Sequence, residues 1–167
     1  MTHTFFVLVV ASKLFFSSVQ PPLRGLATVP NQTTDATSAK FDPHRNSFDD
    51  LSAAMEEAKR TKRNILIEVG GEWCEWCHIM DEFYTKNPQL LALRDKNYVI
   101  MKADVSENHP NAKFLSQFPR IDGAPHIFIL DAFGKLVRSE DTSELEDGQS
   151  YSVERFKKFL EKYAPKN

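Results

Sequence analysis

Several features that mark particular classes of protein are scarce in this sequence. Cysteine occurs only twice in 167 residues, so any thiol chemistry depends on one pair. The formal net charge is −2, and the one basic cluster, KRTKR at 59–63, is typical of a solvated helix end, which argues against nucleic acid as a partner. No internal repeat is present. A hydrophobic fraction of 41%, with 13 phenylalanines, suffices for one packed core, so we expect one folded domain.

The first forty residues differ in composition from the rest. They contain a single acidic residue, Asp35, and their apolar run is interrupted by Lys13 well short of the roughly 20 residues of a transmembrane helix. We interpret residues 1–27 as an export signal or another leader, with an uncleaved anchor and a transit peptide as the alternatives. The Pro-, Ser- and Thr-rich stretch that follows predicts a flexible linker at 28–44, before a domain at 45–167.

The domain alternates predicted strands with predicted helices. Four short segments have the composition of strands: NILIEVG, YVIMKADV, PHIFILD and KLVRS. The first is bounded by Gly70 and Gly71 and is typical of a strand buried on both faces. The first two enclose helical segments, which predicts a parallel β-α-β unit. The last two flank DAFG, a turn-compatible tetrapeptide that predicts an antiparallel hairpin.

Helices are predicted between and around these strands. SFDDLSAAMEEAKRTK forms the first, with Ser47 as its cap, and Asn87 with Pro88 begins the third, after the helix that carries the cysteines. A short helix is expected at PNAKFLSQF and a last one at SVERFKKFLEKY. The residues expected on the inward faces of the first, second and last helices are Phe48, Leu51, Met55 and Ala58; Met80, Phe83 and Tyr84; and Val153, Phe156, Leu160 and Tyr163.

Both cysteines lie in EWCEWCH, residues 72–78, directly after the first predicted strand. The spacing C-x-x-C followed by His is shared by redox dithiols and covalent haem sites, and it also suits half of a metal site or a static staple. Residues three apart in a helical turn have Cβ atoms about 5–6 Å apart, which is within disulfide reach. A bridge closing so short a loop contributes on the order of 3 kcal/mol or less, so we favour a catalytic dithiol over a staple.

The two sulfurs are expected to differ in role. Cys74, at the helix N-terminus, would lie near unsatisfied backbone N–H groups and the positive end of the helix dipole. This position lowers the pKa of its thiol and makes it the accessible, attacking sulfur. Cys77, one turn further in, is expected to be shielded and to resolve the mixed disulfide.

The order of elements and several separate motifs resemble the thioredoxin superfamily. ILIEVGGEWCEWC resembles the family's strand that leads through a buried acid to WCxxC, with Glu68 six residues before Cys74, where thioredoxins carry an aspartate. DGAPHIF resembles the loop that bears the family's cis-proline, which implies that Ala124 and Pro125 lie beside the dithiol. The resemblance covers about residues 45–164 and is nearest to exported thioredoxin-like proteins with a WCxWCH motif.

This resemblance implies an α/β thioredoxin-like fold, with a central mixed sheet of about four strands and helices on both faces. It implies a thiol–disulfide oxidoreductase that acts on protein cysteines as a reductase, oxidase or isomerase, with no cofactor beyond its own disulfide. Two departures leave redox potential and client choice open: Glu75 and Trp76 stand where Gly-Pro is common, and His126 stands where thioredoxins usually have threonine. We expect an exported monomer, periplasmic or secreted, that reacts with client proteins and with a membrane or soluble redox partner.

Glu68 and two basic residues are further candidates for the site. A carboxyl in a buried strand has its pKa raised by desolvation, which suits Glu68 to exchange a proton with Cys77, unless its side chain points to solvent at a sheet edge. The resemblance implies Lys102 as its charge partner, with a solvated lysine as the alternative. His126 is either a further titrating group near the sulfurs or an ordinary surface or loop histidine.

The residues flanking the cysteines are expected to modulate the dithiol. Trp73 and Trp76 either form an apolar rim that receives a client peptide or pack beside the helix. A cationic His78 would stabilise a thiolate, whereas Glu72 and Glu75 would oppose it, so the sign of their sum stays open.

Readings from other classes compete with the redox dithiol. Cys74, Cys77 and His78 satisfy the pattern of covalent haem attachment, but the motif follows a buried strand and Met80 is too near to reach the opposite axial face. No metal site is expected, because zinc would need a distant histidine such as His109. A noncatalytic interaction module would keep the fold and use its groove for binding.

Overall fold

The computed structural model describes residue 1 and residues 40–166. The predicted leader and most of the predicted linker lie outside the described residues. Within the described part of the chain, no helix is long and apolar enough to cross a membrane.

A four-stranded mixed sheet organises the domain. Its strands are β1 (Asn64–Gly70), β2 (Tyr98–Asp104), β3 (His126–Leu130) and β4 (Leu136–Asp141), in the spatial order β2-β1-β3-β4. β2 runs parallel to β1, whereas β3 and β4 continue as an antiparallel pair. Every residue of the first three strands is buried, as their apolar sequences predict. The predicted β-α-β unit and hairpin are both confirmed.

Helices cover both faces of this sheet, as predicted. They are α1 (Ser47–Thr61), α2 (Glu75–Lys86), α3 (Pro88–Asn97), α4 (Ala112–Leu115) and α5 (Val153–Lys162). Apolar residues of α1 and α4 form one core with Ile65, Ile67 and Val69 of β1. Those of α2, α3 and α5 form a second core with Leu66 of the same strand. Successive strand residues face opposite sides, so Glu68 shares the face of Leu66 and points towards α2.

The chain between β4 and α5 contains two elements that the sequence patterns did not predict. A 3₁₀ turn (Thr142–Leu145) leads into a small hairpin of β5 (Glu146–Asp147) and β6 (Ser150–Tyr151). Strands of two residues are too short to show an alternating pattern.

Two helices differ in detail from their predictions. Asn46, not Ser47, caps α1, because the Asn46 side chain accepts a hydrogen bond from the Phe48 amide while Ser47 is buried and accepts one from the Asn111 side chain. The buried face of α1 therefore starts at Ser47, and Phe48 is 39% exposed. The helix predicted at 110–118 is a single turn.

The predicted inward face of α5 is confirmed at Phe156, Leu160 and Tyr163, which lie in or against the core, and it differs at the first helical residue and at Phe159. Val153 is the first helical residue and is exposed, whereas Phe159 is buried together with Phe156 and Leu160. Ring contacts with Phe156 and Tyr163 hold Phe159 in the core.

Candidate active site

The two cysteines lie where β1 passes through Gly70 and Gly71 into α2. Cys74 is the N-cap residue of α2 and Cys77 lies in its first turn, so the two Cα atoms are 5.3 Å apart and the sulfurs are joined in a disulfide. The Cys77 amide donates a hydrogen bond to Cys74 Sγ at 3.2 Å. The predicted placement of Cys74 at a helix N-terminus is therefore confirmed.

The predicted contrast in accessibility between the two sulfurs is not found. Cys74 is 3% exposed and Cys77 is 1% exposed, so both are buried in this oxidised form. The expectation of an accessible Cys74 considered only the helix end. Phe41 and Ala124, which lie outside the helix, and half-buried Trp76 of α2 itself pack against the pair.

The loop before β3 reaches the dithiol because β3 runs antiparallel to β1. Val69 pairs with His126, so the start of β3 lies at the sheet edge where β1 ends. Ala124 packs against the cysteine pair, and its bond to Pro125 is cis, as the resemblance implies. The carbonyl of Pro125 accepts a hydrogen bond from the buried Thr142 hydroxyl at 2.6 Å, which fixes the loop from behind.

Gly70 provides space for the disulfide, a role that the sequence patterns did not assign to it. A Cβ added at Gly70 would overlap Cys77 Sγ and lie 3.1 Å from Cζ of Phe41. Only glycine leaves room for the sulfur to lie this close to the strand backbone.

Glu68 is buried on the face of β1 that α2 covers, with 1% of its surface exposed. It pairs in register with Lys102 on β2, and Lys102 Nζ lies 3.7 Å from Glu68 Oε1, an ion-pair distance too long for a hydrogen bond. Oε1 accepts no hydrogen bond from any residue between 40 and 166. Burial raises the pKa of Glu68 to about 7, because the penalty for desolvating the carboxylate exceeds the attraction of Lys102. A solvent-facing Glu68 and a solvated Lys102 are therefore excluded.

Asp81 is a member of this cluster that sequence reasoning missed. Both of its carboxylate oxygens lie 2.7 Å from Lys102 Nζ, so Lys102 is bonded to Asp81 and only adjacent to Glu68. Asp81 lies four residues after Cys77, which is one helical turn further along α2. Residues four apart lie on the same face of a helix, so the spacing from Cys77 to Asp81 could have predicted an acid on the face that carries Cys77.

The two tryptophans lie in different environments. Trp73 is 59% exposed beside the N-terminus of α2, so its ring is available to a partner. Trp76 packs edge-on against Tyr151 at 5.5 Å, and the Tyr151 hydroxyl donates to the Trp76 carbonyl. Packing beside the helix is therefore found for Trp76, whereas a client-binding role for Trp73 stays a prediction.

The charged neighbours on the outer side of the motif are all exposed. A ring nitrogen of His78, Nε2, is hydrogen-bonded to the carbonyl of Glu72 at 2.8 Å, which ties His78 to the loop before the cysteines. Glu75 is the first residue of α2.

In the part of the chain that the structure describes, no three His, Cys, Asp or Glu side chains are grouped to hold a metal ion.

His126 is not the surface or loop histidine of one of the two predictions. It is a buried first residue of β3, where its Nε2 is hydrogen-bonded to the Ser139 hydroxyl at 2.8 Å and its ring packs on Phe128. Burial lowers its pKa, so the imidazole is neutral at neutral pH. The prediction of a loop histidine failed because β3 begins at His126 itself and not after it.

Comparison with known proteins assigns the family. A family model described as thioredoxin-like matches residues 46–132, more than half of the chain, so the chain belongs to the thioredoxin-like family. A thiol:disulfide interchange protein, DsbD, of Vibrio vulnificus is 29% identical over 129 residues, which are 77% of this chain and 21% of that protein. Spermatogenesis-associated protein 20 of Mus musculus is 32% identical over 54 residues, 32% of this chain and 7% of that protein. The chain thus spans about a fifth or less of the length of these curated relatives.

Solved structures agree with the fold. A disulphide isomerase from Xylella fastidiosa superposes with a TM-score of 0.63 at 25% identity, over 73% of this chain and 94% of that one. The oxidised C-terminal domain of DsbD from Neisseria meningitidis superposes with a TM-score of 0.51 at 18% identity, over 71% and 93%. At the level of the family, the relatives support a thiol–disulfide oxidoreductase; the second structure supports the fold alone.

Proposed function

We propose that this protein exchanges disulfides with cysteines of client proteins through Cys74 and Cys77. The observation that carries the proposal is the Cys74–Cys77 disulfide at the N-terminus of α2, with Cys74 Sγ facing the Cys77 amide and a buried carboxyl, Glu68, on the strand that leads to the pair. Relatives named as a thiol:disulfide interchange protein and a disulphide isomerase support the same chemistry.

The exchange reaction proceeds in two steps. In reduction of a client, the Cys74 thiolate attacks the client disulfide, forming a bond to one client sulfur while the other leaves as a thiolate. The Cys77 thiolate then attacks Cys74 Sγ, which forms the Cys74–Cys77 disulfide and releases the second client sulfur as a thiolate. Two electrons have passed from the protein dithiol to the client. Oxidation of a client is the reverse sequence.

Glu68 is proposed as the proton acceptor for the second step. Cys77 must lose its proton to attack, and the carboxyl on β1 points to the face that α2 covers. With a pKa raised to about 7, Glu68 changes charge near neutral pH, where proton transfer to and from it is most effective. Lys102 and Asp81 are proposed to modulate this equilibrium through their charges.

An extended client segment is proposed to lie between Trp73 and the Ala124–Pro125 loop. Trp73 offers an exposed ring, and Ala124 contacts the cysteine pair from the other side. Backbone pairing along such a loop gives affinity without demanding one client sequence. Glu75 and His78 are exposed beside this path and are proposed to tune it electrostatically.

The remaining properties are proposed together. The protein is proposed to act as a monomer in the periplasm or after secretion, because disulfides persist in oxidising compartments and the N-terminal composition is typical of an export signal. Its own disulfide is its redox group. A membrane or soluble partner is proposed to restore its redox state after each turnover.

The test is catalysed exchange with a disulfide-bonded test protein under a glutathione buffer. Wild type should accelerate reduction or reshuffling of the test disulfides, and the Cys74→Ser/Cys77→Ser double variant should not. Equal rates for both proteins would contradict catalysis and favour the second candidate, a noncatalytic interaction module. The burial of both sulfurs is the observation that favours this second candidate. The potential measured in the same buffer assigns direction: about −270 mV is typical of a reductase and about −120 mV of an oxidase.

A further inference from the structure

We propose that Phe41 is a positioning residue that packs against the dithiol and holds the Lys102 ammonium against Asp81, away from Glu68. The inference rests on the proposed function, because it gives the protonation of Glu68 a role in exchange. Phe41 precedes α1, lies outside the helices and strands, and was assigned to the linker by sequence composition.

Phe41 is buried by the site and not by the main cores. It is 5% exposed, and the buried residues of its cluster are Cys74 and Cys77. A Cβ built on Gly70 would meet both Cys77 Sγ and the Phe41 ring, so the ring and the sulfur lie on the same side of that strand end. An aromatic ring placed there fills the space through which water would otherwise reach the cluster.

The same ring contacts Lys102. The ammonium lies 4.6 Å from the ring centroid, within the range of a cation–π interaction, which is stronger in a desolvated position. Lys102 Nζ therefore has three neighbours: the Phe41 ring, the Asp81 carboxylate at 2.7 Å and the Glu68 carboxylate at 3.7 Å. The first two contacts hold it where it does not hydrogen-bond Glu68 Oε1.

The segment that carries Phe41 is anchored at its C-terminal side. The His44 amide donates to the Asp42 carboxylate at 2.9 Å, and the Arg45 amide donates to the Asp42 carbonyl at 3.2 Å. The Arg45 guanidinium bonds both oxygens of Asp50 on α1, which ties the turn to the first helix. These contacts fix the direction in which the chain brings Phe41 to the dithiol.

Removal of the ring changes the surroundings of Glu68 in two ways that act in the same direction. Water entering the space would reduce the desolvation of the carboxylate, and a released Lys102 could approach it; both lower the pKa of Glu68. The charged and titratable groups that face Glu68 from the packed elements are Lys102 of β2, Asp81 and Tyr84 of α2, Arg94 of α3 and Tyr151 of β6. Burial raises the pKa of both tyrosines, so they stay neutral while Glu68 titrates.

The experiment is a pH titration of the Glu68 side-chain carboxyl by carbon NMR in the oxidised full-length protein. Wild type should titrate near pH 7, and Phe41→Ala should titrate at least about one pH unit lower, which raises the carboxylate fraction at pH 6 about fivefold. Phe41→Leu keeps an apolar cover without an aromatic face, so its midpoint should fall between the two. It also tests the proposal if the alanine variant does not fold.

Phe48→Ala is the matched control, since Phe48 belongs to the same part of the chain but packs edge-on against Phe114 in the opposite core. It should titrate as wild type. An unchanged midpoint in both Phe41 variants, or an equal shift in Phe48→Ala, would overturn the positioning role.

A kinetic measurement separates this proposal from the proposed function. The rate at which Cys77 resolves a preformed mixed disulfide should rise with pH through the titration of Glu68, and Phe41→Ala should move that rise to lower pH by the same amount as the NMR midpoint. A shifted midpoint with no exchange in any variant would remove the proposed function and leave the positioning role. An unshifted midpoint with normal exchange would remove the positioning role alone.

Discussion

Replacement of Glu68 by glutamine is expected to stabilise the oxidised protein at neutral pH. The pKa of Glu68 is about 7 in the folded protein and 4.5 in an unfolded chain, so between these pH values the unfolded chain releases the proton first. Stability is therefore fully retained below about pH 4.5, falls as the pH rises and is constant above about pH 7. The folded and unfolded pKa values differ by about 2.5, and each pH unit corresponds to about 1.4 kcal/mol. Ionisation of Glu68 therefore lowers the free energy of unfolding by about 3 kcal/mol, which Glu68→Gln should restore.

The substitution should not leave a buried charge without a partner. Lys102 keeps its bonds to both Asp81 oxygens, and Glu68 Oε1 has no hydrogen bond to lose. The opposing penalty for removing one member of a buried pair, about 3–5 kcal/mol where the other charge is left alone, therefore does not apply in full.

The assay is urea unfolding of the oxidised wild type and variant at several pH values between 4.5 and 8.5. The difference in free energy of unfolding should be small at pH 4.5 and reach about 3 kcal/mol in favour of Glu68→Gln at pH 8. Glu75→Gln, the same change at an exposed position, should retain the wild-type pH dependence. A difference that is independent of pH, or a variant less stable than wild type at pH 8, would refute the reasoning.

Two further substitutions test the space and the surface around the dithiol. Gly70→Ala should destabilise the oxidised protein by about 1–3 kcal/mol, because its Cβ would overlap Cys77 Sγ, whereas Gly123→Ala, with no atom within 4 Å of the added Cβ, should change the free energy of unfolding by less than about 1 kcal/mol; equal effects would contradict the close approach at Gly70. Trp73→Ala should slow exchange with a protein client by at least about fivefold while leaving exchange with glutathione and thermal stability unchanged. A parallel loss with both substrates would remove the client-binding role.

The sheet and the dithiol could be predicted from sequence because their signals are local. The first two strands are mostly apolar runs, interrupted only by a few polar residues such as Glu68 and Lys102, and burial on both faces favours such runs. The cap at Asn87 with Pro88, and the CxxC spacing at a helix start, are likewise contained in a few neighbouring residues. The position of Glu68 on the face that α2 covers follows from strand alternation once the strand is known.

The features that escaped prediction depend on contacts between distant parts of the chain. Phe41 was assigned to a linker because composition cannot show that an isolated aromatic residue packs on a lysine 61 positions later. The burial of Cys74 depends on Phe41 and Ala124, which come from parts of the chain far from the helix in sequence. Helical periodicity gave the inward face of α1 correctly at Leu51, Met55 and Ala58, which pack in or against the core. It missed the buried Ser47, and Phe48 lies at the edge of that core.

Trapping of a mixed disulfide tests the central claim most directly. Reduced Cys77→Ser, incubated with a disulfide-bonded test protein, should accumulate a covalent complex on nonreducing gels, and mass spectrometry of its peptides should identify Cys74 as the linked residue. Reduced Cys74→Ser should give little or none. Complexes that form only with Cys74→Ser would reverse the roles of the two sulfurs, and the absence of complexes from both variants would contradict disulfide exchange through this pair.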